Sequence, residues 1–180
     1  MSGPISLPQA PARMTTGFAF SYIERCIKEN LASRKFGKKE MEAVINQLCS
    51  GHPRCIYCGS PDVGRWDHLY PVARGGDTVL GNMVPACNRC DDSKQDHAYA
   101  EWMLSDARFS PKSRAVADLE DRLRQIEAYV ASHSYTPRPI EERLAPGELA
   151  RLDFIRKKAS SLRAELESLI HDVRARTGEN

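Results

Sequence analysis

The chain contains 180 residues, with a formal net charge of +2 and a mean hydropathy of −0.50. No uninterrupted apolar run approaches the ~18 residues that a membrane span requires, so an integral membrane protein is not expected. The small net charge argues against a polycation that binds nucleic acid along its whole length. Because the first residues lack the basic and apolar segments of a secretory signal, we expect a soluble, cytoplasmic protein.

The N-terminal part is predicted to hold a leader and two helices. Residues 1–14 carry three prolines among small residues, which predicts a flexible leader. Residues 15–50 show apolar side chains at three- and four-residue steps on both sides of Gly37, which predicts two amphipathic helices broken there. A basic cluster from Arg34 to Lys39 lies at this junction and is either a solvated surface or a contact for phosphate groups.

Residues 51–106 are predicted to form a small module. This segment is rich in Gly, Pro and Asp, and only residues 65–70 and 83–86 are typical of strands. A helix is predicted from Asp91 to Leu104, ending before Pro111.

Residues 111–176 are predicted to form two helical arms. Apolar residues step by three and four from Val116 to Val130 and again from Leu152 to Val173, with a proline-rich segment between. Ser110 and Pro111 are suited to be the N-cap and first residue of the first arm. We expect an antiparallel hairpin whose arms pack on each other, or a homodimer formed through these C-terminal helices.

Four cysteines in two Cys-x-x-Cys pairs predict a metal site. The pairs are Cys55 with Cys58 and Cys87 with Cys90. Four thiolates complete the tetrahedral shell of Zn²⁺ and leave no position for a reacting molecule, so we predict a structural zinc ion.

Between the two pairs lie residues able to carry out acid–base and metal chemistry. The carboxylate of Asp67 is suited to bind a hard cation, and the neighbouring imidazole of His68 can take a proton from water at neutral pH. Asn82 is suited to fix the histidine or the loop that carries it. Asp91 directly follows the last cysteine and can supply a second carboxylate.

This pattern resembles the HNH endonucleases, also called ββα-metal nucleases. The matching positions, in chain order, are Cys55, Cys58, Asp67-His68, Pro71, Gly75-Gly76, Asn82, Cys87, Cys90 and Lys94. The resemblance implies a fold that is mainly α with a small zinc-stabilised ββα-metal module, beside the C-terminal helical hairpin. It also implies an enzyme, expected in a prokaryote or phage, that hydrolyses phosphodiester bonds of double-stranded DNA.

The resemblance assigns a role to each residue of the site. His68 is the general base and Asn82 orients it, while Asp67 and Asp91 hold a catalytic Mg²⁺ or Mn²⁺. Asp91 departs from the Asn or His usual at its position, so we expect an altered metal preference. Side chains expected to contact DNA phosphates are those of Lys94, Arg65, Arg74 and Arg89.

Two other interpretations stay open. The module is alternatively a non-catalytic zinc ribbon that binds nucleic acid or docks a protein, in which case His68 is a packing residue. A further alternative makes the helical hairpin the main functional part and the zinc module a rigid spacer.

Overall fold

Helices dominate the computed structural model, which describes residues 15–178. The helices are α1 (Thr16–Leu31), α2 (Lys38–Cys49), α3 (Asn88–Lys94), α4 (Tyr99–Met103), α5 (Leu119–Ser132) and α6 (Pro146–Thr177). The strands are β1 (Arg34–Lys35), β2 (Arg65–His68), β3 (Thr78–Val79) and β4 (Met83–Ala86), and 3-10 turns occupy Val72–Arg74 and Ile140–Glu142. The predicted leader of residues 1–14 lies outside the described residues.

The two predicted N-terminal helices correspond to α1 and α2. Gly37 precedes α2, and its backbone N–H donates to the carboxylate of Glu40 at 2.8 Å, which caps the first turn. Helix α2 ends where Ser50 takes a left-handed conformation with φ of 49°.

A two-stranded antiparallel sheet and a following helix form the centre of the predicted module. Strand β2 pairs with β4, so that Arg65 lies opposite Ala86 and His68 lies opposite Met83. Helix α3 follows β4 after Cys87, giving the order strand, strand, helix that a ββα unit requires. Strand β1 makes a short parallel pair with β3.

The prediction of one continuous helix from Asp91 to Leu104 is wrong. Helix α3 ends at Lys94, Gln95 has a positive φ of 51°, and α4 begins only at Tyr99. The backbone N–H of Tyr99 donates to the carbonyl of Leu69 at 2.9 Å, which ties the second helix to the end of β2. This tertiary hydrogen bond accompanies a break in the segment, although its apolar pattern predicted a single helix.

The start of the first C-terminal arm also differs from the prediction. Ser110 does not cap a helix; it is buried and its hydroxyl donates to the carbonyl of Ser105 at 2.7 Å. Residues 111–115 form turns, and α5 begins at Leu119.

The chain divides into two compact units. One contains residues 25–145, and the other combines residues up to Glu24 with those from Pro146 onwards. The core of the first unit gathers buried side chains from α2, the β2–β4 sheet, α4 and α5, among them Val44, Val84, Trp102, Ile126 and Tyr129. Because α5 uses its apolar face in this core, while α6 belongs to the other unit, the predicted hairpin is not confirmed.

The second unit joins the beginning of α1 to α6. The guanidinium of Arg156 donates to Glu24 at 2.7 Å, and the hydroxyl of Thr16 donates to Glu167 at 2.7 Å. Leu152 is buried. Within residues 15–178, no helix is both long enough and apolar enough to cross a membrane.

Candidate active site and metal centre

The four cysteines form a compact cluster. Their sulfur atoms all lie within 4.8 Å of one another, and those of Cys58 and Cys87 are 3.8 Å apart. Thiolates bound at ~2.3 Å to a tetrahedral zinc ion stand about 3.8 Å from each other. The spacing therefore fits a four-thiolate metal site. Within residues 15–178, no other group of three or more His, Cys, Asp or Glu side chains brings its ligand atoms this close.

Two arginines support the cysteine cluster. Arg114 donates to the sulfur of Cys90 at 3.0 Å, and Arg122 donates to the carbonyl of Ile56 at 3.0 Å. Hydrogen bonds to thiolate sulfur help hold metal ligands in place and offset their negative charge. These arginines lie 24 and 66 residues from their partners, so local sequence spacing could not reveal them.

His68 lies at the end of β2, beside the loop that follows. Its Nε2 atom is 2.9 Å from the hydroxyl oxygen of Thr78. Burial, together with the positive charge of Lys94, lowers the pKa of His68 to about 4. The imidazole is therefore neutral at pH 7 and able to accept a proton.

Asp67 faces the protein interior and has two partners there. Its carboxylate accepts a hydrogen bond from the Tyr57 hydroxyl at 2.6 Å and forms an ion pair with Lys94 at 3.2 Å. The ammonium of Lys94 also donates to the carbonyl of His68 at 2.6 Å. Burial raises the pKa of Asp67 and lowers that of Lys94, because both lose contact with water.

Asn82 fixes the loop that follows His68. It is fully buried, and its side-chain oxygen accepts from the backbone N–H of Tyr70 at 2.8 Å. Its amide nitrogen donates to the carbonyls of Tyr70 and Asp77, at 3.0 and 2.7 Å. Of the two roles predicted for this amide, the contacts favour holding the loop.

Asp91 lies on α3 and is held by an arginine. The guanidinium of Arg65 contacts the carboxylates of Asp91 and Asp92 at 2.6 and 2.5 Å. Asp91 is one-quarter exposed, whereas Asp92 is largely exposed. Arg65 thus forms an ion pair with the carboxylate of Asp91, which was predicted to bind a cation.

One cleft is lined by three of the four residues predicted to act in catalysis or to bind the catalytic cation, and Asn82 is not among them. Its volume is about 700 Å³, and Asp67, His68 and Asp91 all contribute to its lining. Asp92 and Asp96 add further carboxylates. His68 and Asp91 thus line a shared space that is open to solvent, whereas the carboxylate of Asp67 is bound to its buried partners Tyr57 and Lys94.

Comparisons with known proteins concern the segment that carries this site. The family model of the HNH endonucleases matches residues 55–97. This segment belongs to the HNH family. The CRISPR-associated endonuclease Cas9 of Corynebacterium diphtheriae is 37% identical over 65 residues, which cover 34% of this chain and 6% of that protein. The chain thus spans only a small part of this curated relative, and no solved structure matches it significantly.

The basic residues predicted to contact phosphate lie in different places around the HNH segment. Lys94, which was predicted to contact phosphate, is fully buried and paired with Asp67. Arg74 pairs with Glu101 at 2.5 Å, and Arg89 lies exposed with its guanidinium 5.7 Å from the ring of a phenylalanine. Two of the four, Lys94 and Arg65, are bound to carboxylates that line the cleft.

Two residues of the HNH site were missed by the sequence analysis. Tyr57 lies between the first two cysteines and reaches Asp67, and Thr78 reaches the imidazole of His68. The place of Tyr57 inside the first Cys-x-x-Cys pair was a usable signal, because the metal would fix its position. Thr78 had no such signal, since its contact depends on the path of the intervening loop.

Proposed function

We propose that the chain is a divalent-cation-dependent HNH endonuclease that hydrolyses phosphodiester bonds of double-stranded DNA. The observation that carries the proposal is the single cleft lined by His68, Asp67 and Asp91 inside the segment that matches the HNH family. A binding module has no need for a neutral imidazole beside two carboxylates.

His68 would act as the general base. If the ring proton resides on Nε2 and is donated to Thr78, Nδ1 carries the free lone pair. That atom can take a proton from water as the water oxygen bonds to phosphorus and the bond to the 3′ oxygen breaks. Asn82 would contribute as a positioning residue, because it holds the loop after His68.

Asp67 and Asp91 would hold Mg²⁺ or Mn²⁺. Carboxylate oxygens are the ligands that these hard cations prefer, and both residues line the cleft. When bound, the cation would neutralise charge on the scissile phosphate and on the departing oxygen. For this, Arg65 must release Asp91, and the released guanidinium could then contact a DNA phosphate.

The cysteine cluster would hold a structural zinc ion. A closed four-thiolate shell offers no site for substrate, but it fixes the ends of the segment that carries His68. The zinc ion would therefore contribute to folding of the module and to placement of the base.

The proposal is tested with supercoiled plasmid incubated with the protein and Mg²⁺ or Mn²⁺. We expect nicked or linear products from the natural protein and at least a hundredfold slower cleavage by His68→Ala, in line with the contribution of about 10²–10⁴ from a general base. His52→Ala is the matched control, since His52 is exposed and does not line the cleft. Equal cleavage by His68→Ala and the natural protein would refute the assignment of the base.

A non-catalytic nucleic-acid-binding zinc module is the second candidate. It is favoured by the ion pairs that engage both predicted cation ligands, Lys94 with Asp67 and Arg65 with Asp91. Binding of DNA without cleavage in either metal, by a protein shown to contain zinc, would support this alternative.

A further inference from the structure

Helix α6 carries an exposed apolar face. From Leu152 to Val173 its apolar residues step by three and four, the spacing of positions a and d in a heptad repeat. We call the exposed members the α6 stripe, and each has 37% or more of its surface exposed: Ile155, Leu162, Leu166, Leu169 and Val173. A row of exposed apolar side chains along a 32-residue helix is typical of a contact surface.

The beginning of α1 covers only one side of α6. Arg156 pairs with Glu24, and Arg163 pairs with Glu167, which also accepts from Thr16. The basic residues on this side therefore have acidic partners within the chain. The α6 stripe remains open beside them, and Phe18 and Tyr22 of α1 are also more than half exposed.

The opposite edge of the stripe carries charges without ion-pair partners. At steps of seven residues along α6 stand Arg151, Lys158, Glu165 and Asp172, all exposed. Within residues 15–178, none of these four takes part in an ion pair. They occupy position g of the heptad, directly preceding an a position, and g residues set the orientation of paired helices.

We propose that the α6 stripe binds the same stripe of a second copy of this chain, with the two helices antiparallel. In an antiparallel pair, g residues face g residues. When Leu162 packs against the partner's Ala159, Lys158 faces the partner's Glu165 and Arg151 faces the partner's Asp172. The twofold axis repeats both contacts, giving four opposite-charge pairs along one edge.

The charges select this arrangement against its competitors. In a parallel pair, each g residue faces the e residue five positions later, which sets Lys158 against the partner's Arg163 and Arg151 against the partner's Arg156. A shift by one heptad in the antiparallel pair sets Glu165 against the partner's Glu165, or Lys158 against the partner's Lys158, and leaves two opposite-charge pairs along this edge instead of four. Both alternatives bring like charges together.

One kind of like-charge contact remains in the selected register, and the twofold axis repeats it. On the side nearer α1, Arg156 faces the partner's Arg163. These guanidinium groups are each neutralised by an acid of their own chain, Glu24 for Arg156 and Glu167 for Arg163. The cost of this contact is therefore smaller than that of the unpaired like charges in the competing arrangements.

Sedimentation equilibrium on the full chain, without DNA, tests the proposal with charge-exchange variants. We expect a dimer for the natural chain. Lys158→Glu and Glu165→Lys should each raise the dimer Kd by about tenfold, because each turns two attractive contacts into two repulsive ones. The double variant should return the Kd to near its natural value. Lys157→Glu makes the same charge change at an exposed position outside the stripe and its g edge, and should have little effect.

Circular dichroism checks that every variant keeps its helical content. A monomeric natural chain, or a larger assembly, would overturn the proposal. A dimer whose double variant stays as weak as the single variants would overturn the antiparallel register. The measurement does not depend on nuclease activity, so its failure would leave the plasmid assay, and the function proposed above, standing.

Discussion

Replacing Lys94 by Met should destabilise the fold strongly. Lys94 is fully buried, and its ammonium contacts the carboxylate of Asp67 at 3.2 Å and the carbonyl of His68 at 2.6 Å. Methionine has a similar length but no charge, so Asp67 would keep only the hydroxyl of Tyr57 as a partner. Breaking a buried ion pair by removing one partner costs about 3–5 kcal/mol.

Urea and thermal unfolding followed by circular dichroism would measure this loss. A loss of that size lowers the Tm of a protein of this length by roughly 10 °C. The double variant Asp67→Asn with Lys94→Met removes both charges while keeping a group that can bond to Tyr57. It should be more stable than Lys94→Met alone by at least about 1 kcal/mol.

The same experiment distinguishes burial from a surface role for Lys94. A lysine that reached outward to a DNA phosphate would lose little stability on replacement, and the effect would appear in DNA affinity. A loss below about 1 kcal/mol for Lys94→Met, or additive effects in the double variant, would refute the buried pair.

Three other perturbations test separate parts of the site. Arg65→Ala should tighten Mn²⁺ binding, measured by electron paramagnetic resonance, by about fivefold at most, since it removes an exposed guanidinium that competes for Asp91; Arg89→Ala should leave the affinity unchanged. The pKa of His68 is lowered to about 4 in the folded protein, from an unfolded value near 6.5. Because the unfolded chain binds the proton at a higher pH, the free energy of unfolding should fall by about 3 kcal/mol as the pH drops from about 6.5 to about 4. His68→Gln should show a smaller decline over the same range, and parallel curves would contradict the lowered pKa. Cys58→Ser should lower the zinc content measured by mass spectrometry and destabilise the module, because a structural metal contributes directly to folding.

The sequence analysis was most informative where chemistry depends on local spacing. Cys-x-x-Cys pairs restrict the positions of their two sulfur atoms, and the four thiols do form one cluster. Asp67 and His68 are adjacent on β2, and both residues contribute to the lining of the cleft. Their roles in catalysis stay predictions.

Burial by residues that are distant in the sequence could not be predicted from local spacing. Lysine is nearly always exposed, so an outward contact was the natural expectation for Lys94, whereas its partner Asp67 lies 27 residues away. The apolar seam of α5 posed a similar problem, because a 3.5-residue period is the same whether the helix faces a globular core or another helix. In the structure Ile126 and Tyr129 face the core of residues 25–145.

The charge of the cleft explains why Asp91, which stands where Asn or His is usual, has Arg65 as a partner. The cleft lining contains five carboxylates, from Glu29, Asp67, Asp91, Asp92 and Asp96, but only one guanidinium, from Arg25. Four of these five carboxylates are paired with a basic side chain, that of Arg25, Lys94 or Arg65, which offsets much of this negative charge. An amide at position 91 would add no negative charge and would have no need of a guanidinium partner, whereas the carboxylate binds Arg65 at 2.6 Å. The pairing of Arg65 with Asp91 therefore offsets the negative charge that this carboxylate adds, compared with the Asn or His usual at its position.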